Sequence, residues 1–145
     1  MDFVSWLLAL IGISSDRAMH KSDRRAEVVR LNAEVTAEAG RTLDIINAAM
    51  PRLTRRCQQI CGDNPAGMEK VLNDQRSAAI AIMKMAEELT ETASNHKGFI
   101  DWDQALHKSL QWRANASRMS PYVQDIVTRY DTVLNRTGFA GGSNF

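Results

Sequence analysis

Asp103 and His107 stand four residues apart, as do Asp16 and His20. On a helix each pair would share a face, and a carboxylate that orients an imidazole is half of a general-base device. The sequence sets no Ser or Cys nucleophile beside either pair, and such contacts are common on solvated helix surfaces. Glu87, Glu88 and Glu91 invite comparison with bundles that hold metals on carboxylates. Those need Glu-x-x-His ligand sets on facing helices, and none occurs here. The acidic run reads instead as a solvated face on which Lys84 and Glu88 form an i,i+4 ion pair.

Cys57 and Cys61 would also share a helix face, where the rigid backbone works against a disulfide. They read as reduced thiols in a reducing compartment, and neither His20, His96 nor His107 has ligand spacing with them. A glycine-rich phosphate loop, a Cys-x-x-Cys pair and a nucleophile elbow are all missing from the sequence. An Arg four to six residues ahead of a His, the mark of one group of helical ribonucleases, is missing too. The chemistry-bearing residues therefore predict a non-enzymatic protein with no catalytic residue, no metal, no cofactor and no small-molecule substrate.

Eighteen Lys and Arg against seventeen Asp and Glu leave a formal charge of +1 over 145 residues, which argues against a strongly basic nucleic-acid binder. Two local clusters remain, Arg24 with Arg25 and Arg52 with Arg55 and Arg56. Along a straight helix they lie about 45 Å apart, too far for one compact phosphate site. Read structurally, the second cluster is ordinary charge near the C-terminal end of a helix. A nucleic-acid-associated bundle working through these arginines is the alternative function, and a small enzyme whose site assembles from residues scattered in sequence is a third.

The most informative segment is Phe3 to Ile13, FVSWLLALIGI. A membrane-spanning helix needs about 20 apolar residues, so this run is too short to cross. It lacks the positive charge that precedes the apolar core of a secretory leader, although Gly12 and Ser14 imitate a cleavage site. Positive charge follows it instead, at Arg17, Lys21, Arg24 and Arg25. Two placements satisfy such a segment. It packs as a short first helix inside the bundle, or it docks outside through Phe3, Val4, Trp6, Leu7, Leu8, Leu10 and Ile11. In the second case the contact is a protein partner, a second copy or a membrane surface, with the basic residues behind it on anionic headgroups. The corresponding location is cytoplasmic, free or peripheral to the membrane.

These residues must be positioned by helices. With 44% hydrophobic residues, 8 Gly and 3 Pro, the chain has globular composition and long uninterrupted elements. Val28, Leu31, Val35, Thr42, Ile46, Ala49, Leu53 and Ile60 step by threes and fours, with a gap near Glu38 and Ala39, and predict one helix from about Ser15 to Cys61. Pro51 predicts a kink or break near Met50 and Gly62 a stop. Asn64-Pro65 opens the next helix, through Met68, Val71, Leu72, Ala79, Ile82, Met85, Ala86, Leu89 and Ala93 to Gly98. Asp101 and Gln104 resemble a capping box for a helix to about Ala116. Ser120-Pro121 predicts a further start, with Val123, Ile126, Val127, Tyr130, Val133 and Leu134 buried and Gly138 closing it. Met68, Met83, Met85 and Met119 read as core filler, and of Trp102 and Trp112 one is expected inside and one outside. The expectation is all-α: a four- or five-helix up-and-down bundle with a short apolar N-terminal helix at 1–14, the bundle at 15–138 and a glycine-rich tail at 139–145.

Overall fold

A computed structural model describes residues 21–62, 66–95 and 101–142 of the chain. The described residues form three α-helices: α1, Lys21–Cys61; α2, Ala66–Asn95; and α3, Trp102–Gly142. The N-terminal segment, Asn64-Pro65, Gly98 and the last three residues lie outside them.

Each helix buries a seam that repeats in alternating steps of four and three. In α1 the seam is Val28, Asn32, Val35, Ala39, Thr42, Ile46, Ala49 and Leu53, all at most 4% exposed. In α2 it runs Met68, Leu72, Ala79, Ile82, Ala86 and Ala93, with half-buried Gln75 and Leu89 completing the register. In α3 it runs Leu106, Ser109, Ala116, Val123, Val127 and Leu134, with Arg113, Ser120 and Tyr130 half-buried in register. A repeat averaging 3.5 residues keeps one stripe facing its partners only when the helices wind around each other with left-handed twist. The seams stack in three layers. Ile46, Leu53, Leu72 and Val123 fill one end. Alanines 39, 79, 86 and 116 form a narrow waist, flanked by Trp112, Met83 and Met119. Val28, Leu31, Leu106 and Leu110 fill the other end, with Trp102 and Leu89 packed against them.

Side-chain bonds fix the relative directions. Between α1 and α3, Arg24 pairs with Asp103, Glu34 with Arg113, Thr42 with Ser120, Arg52 with Asp131 and Arg56 with Asn135. The α3 partner always lies 78 or 79 positions beyond its α1 partner, so the two helices run parallel. Arg25 reaches the Ser94 carbonyl, Arg76 reaches Asn47 and Thr54 reaches Glu69, which makes α2 antiparallel to α1. Helix α1 carries most of the packing, and α2 and α3 touch each other far less than either touches α1.

Two expected ends differ. The helix expected to start at Ser120-Pro121 is the middle of α3, which also continues past Gly138 to Gly142. Proline removes only its own N–H, leaving the Ser117 carbonyl without its usual donor. Because Pro121 and Ser117 are exposed, water can satisfy that carbonyl, while Val123 and Val127 carry the buried seam onward. The chain likewise passes exposed Pro51 inside α1 without a break. Two ends are as the sequence reads. Gly62, at φ 73°, closes α1 with its N–H on the Gln58 carbonyl. Asp101 caps α3 by accepting from the N–H groups of Asp103 and Gln104 at 3.1 and 3.2 Å.

Candidate functional site

Helix α3 does not assemble the Asp103–His107 device. Asp103 turns across to Arg24 at 2.8 Å, and the His107 Nε2 meets Gln111 at 3.0 Å. The carboxylate is spent on holding α1 to α3, and the imidazole contacts an exposed amide. Asp16, His20 and His96 lie outside the described residues. Lys84 and Glu88 form no ion pair, and Glu87, Glu88 and Glu91 have no cation within salt-bridge distance among the described residues. Among the described residues no three His, Cys, Asp or Glu side chains come together as a metal site would require. The two thiols form no disulfide with each other: Cys57 packs beside the Ile46–Leu53 layer and Cys61 is exposed at the end of α1.

The arginine clusters are largely absorbed by the fold. Arg52 grips Asp131 with two bonds of 2.6 and 3.1 Å, which holds the Asp131 carboxyl below its usual range, with Arg56 adding to the effect. Arg56 bonds Asn135. Arg24 and Arg25 are taken by Asp103 and the Ser94 carbonyl. Of the five, Arg55 alone has neither an ion pair nor a side-chain hydrogen bond among the described residues, and it borders a shallow concavity on α1 beside Pro51 and Gln59. Glu27 is held low by its bond to Arg30, with the Arg113 charge assisting. Asp131 and Glu27 are thus the shifted carboxyls, and both shifts come from ion pairs on the helix surface. Neither comes from burial in a cleft, the signature of tuned acid–base groups.

Where α2 and α3 stand apart, the surface is apolar. Val71 of α2 and Tyr122, Ile126, Tyr130 and Val133 of α3 line a groove of about 280 Å³, with Arg129 at its edge. Val133 is 58% exposed and Tyr122 54%. Val133, expected in the buried face of α3, therefore lies outside it, as does Met85 of α2, 41% exposed. A second stripe beside the seam, Tyr122, Ile126, Arg129, Val133 and Arg136, was the sequence signal for this face. Its spacing of three and four was hidden by reading all apolar residues of the segment as one stripe. The two tryptophans are not split between inside and outside, since Trp102 and Trp112 are both half-buried against core layers. The methionines are dispersed: Met68 in one end layer, Met83 and Met119 at the waist and Met85 exposed.

Phe3, Val4, Trp6, Leu7, Leu8, Leu10, Ile11 and Arg17 lie outside the described residues, and Lys21 opens α1. No helix among the described residues is long and apolar enough to cross a membrane. No family model, curated protein or solved structure matches the chain.

Proposed function

We propose that this chain is a non-enzymatic interaction protein: a rigid helical rod that presents its N-terminal apolar run, Phe3 to Ile13, to a surface outside its own protomer. The observation that carries the reading is the completeness of the seams. Among the described residues, three helices bury aliphatic side chains in every layer from Val28 to Leu134. An apolar segment ahead of such a rod is surplus to its packing, and apolar surface that the fold does not need is covered by a partner, a second copy or a bilayer surface. If the segment packs on its own rod as a short helix, it completes a four-helix bundle and the docking reading fails.

The arginines favour this reading over nucleic-acid binding. A phosphate-binding patch needs guanidinium donors to spare, and Arg24, Arg25, Arg52 and Arg56 spend theirs on groups of neighbouring helices. The test compares the full chain with a form lacking residues 1–13, in flotation on anionic vesicles and in sedimentation. The reading expects the full chain to float or to associate and the shortened form to do neither. Identical behaviour of the two forms, both monomeric and both left behind by vesicles, would refute it.

A further inference from the structure

Asn32 weakens the fold it sits in. It occupies the α1 seam between Val28 and Val35, is 1% exposed, and neither head of its carboxamide has a hydrogen-bond partner. A buried amide left unpaired is costly, whereas its seam neighbours show that this stripe accepts aliphatic side chains. A residue that the packing would do better without calls for a purpose outside the packing.

The surface above it supplies one. Between α1 and α2 is a concavity of about 440 Å³, with Asn32 the one buried residue of its lining and hence its floor. Val29 and Ala33 line it with aliphatic groups, half-buried Thr36 and Thr90 with hydroxyls, and exposed Glu87 and Glu91 with carboxylates. Thr90 donates its proton to the Ala86 carbonyl at 2.8 Å, which leaves its oxygen as an acceptor. Glu87 and Glu91 stand one helical turn apart, where like charges repel, and neither has an ion-pair partner among the described residues. No Lys or Arg belongs to the lining.

Unneutralised carboxylates at the rim and an unpaired amide at the floor thus share one cavity, and a single cationic ligand relieves both. A bare metal ion suits it poorly. Among the described residues no third carboxylate, His or Cys joins the two glutamates, and aliphatic walls offer a hydrated ion nothing. An organic ammonium suits it on every side. Its N–H groups can donate to the carboxylates, the Thr90 oxygen and Asn32 Oδ1, while its alkyl body covers Val29 and Ala33. Two carboxylates ask for two such ammonium groups.

We propose that the α1–α2 cavity binds a small alkyl polyamine, with Glu87 and Glu91 taking its ammonium groups and the Asn32 carboxamide meeting it at the floor. Binding there is independent of where the N-terminal run docks, since the lining comes wholly from α1 and α2.

Calorimetric titration of the full chain with spermidine at low ionic strength tests it, and one spermidine should bind per chain. Asn32→Leu and the double variant Glu87→Gln with Glu91→Gln should each weaken binding about tenfold, for one lost charged hydrogen bond or two lost exposed ion pairs. Glu88→Gln removes a charge from the same acidic run but not from the cavity, and should bind like the parent. Thermal melts keep folding out of the comparison, since Asn32→Leu should melt higher while binding less. In proton–nitrogen correlation spectra, the side-chain NH2 pair that Asn32→Leu removes should shift as spermidine is added to the parent. Absence of binding, an Asn32→Leu protein that binds like the parent, or a Glu88→Gln protein weakened as much as the double variant would each overturn the proposal. So would displacement of spermidine by an equal concentration of magnesium, which would mark the glutamates as diffuse surface charge.

Discussion

Asn32 should be replaceable by Leu with a gain in stability. It occupies a seam position of α1, is 1% exposed, and neither its Oδ1 nor its Nδ2 has a hydrogen-bond partner. Leaving a buried polar group unsatisfied costs about 1–3 kcal/mol. Leu has the same branching as Asn, so two methyl groups take the places of the two polar atoms with little change of shape. Relief of the desolvation penalty, together with burial of the added apolar surface, should raise stability by about 2 kcal/mol even after allowing for imperfect packing. For a chain of this size that corresponds to a rise in Tm of roughly 6–8 °C. Guanidinium unfolding followed by circular dichroism would give the free energy, and the m-value would show whether the bundle still unfolds as one unit. A loss of 1 kcal/mol or more would refute the reasoning, since it would mean that the amide makes bonds worth more than its burial. A buried polar side chain in a heptad seam can also fix register. Sedimentation of the same variant would reveal any change of assembly state.

Pro121→Ala should stabilise the bundle by about 1–2 kcal/mol, because an exposed mid-helix proline gives way to the best helix former, offset by a less restricted unfolded chain; a thermal melt showing no gain would contradict the continuity of α3. Asp131 is held low by Arg52 in the folded state, so its pairing supports the fold above the unfolded carboxyl value and is lost as pH falls through the lower folded one. Asp131→Asn should therefore cost only about 0.2–1 kcal/mol at pH 7, as befits a surface pair. It should also make the acid-side decline in stability shallower below about pH 4. An unchanged acid limb in urea titrations at several pH values would count against that pairing.

The seams were partly legible in the sequence, and the reasons differ by residue. Val28, Val35, Ile46 and Leu53 announce one face because apolar side chains recur at helical spacing, and all four are fully buried. The strictness of the repeat was hidden where polar or small residues occupy seam positions: Asn32, Ala39, Ser109 and Ser120. Ala39 fills the very gap left in the α1 stripe, since a narrow waist needs a methyl group and no more. Pro121 misled because the features that favour proline at a helix start also let it sit on the exposed side of a long helix, where its lost donor costs least. The residue pairs that join α1 to α3 were not legible, because no local rule links Arg24 to Asp103 or Arg52 to Asp131 across 79 positions. The same ignorance made Asp103 and His107 look like partners. The local spacing was right, but a stronger cation from another helix took the carboxylate. The groove between α2 and α3 was overlooked for a related reason. Val133 and Ile126 are apolar at helical spacing, and sequence alone does not reveal that α2 stands away from α3 beside them.

Whether Trp6 is covered by its own protomer separates outward docking from burial in the bundle. Replacing Trp102 and Trp112 by Phe leaves Trp6 as the sole indole, and its fluorescence emission and acrylamide quenching can then be followed as the protein is diluted without vesicles. Outward docking predicts water-like emission and ready quenching at low concentration, moving to the blue and becoming protected as protein or vesicles are added. Emission already blue-shifted and protected from quenching in the most dilute monomer would contradict it, placing the apolar run inside the bundle.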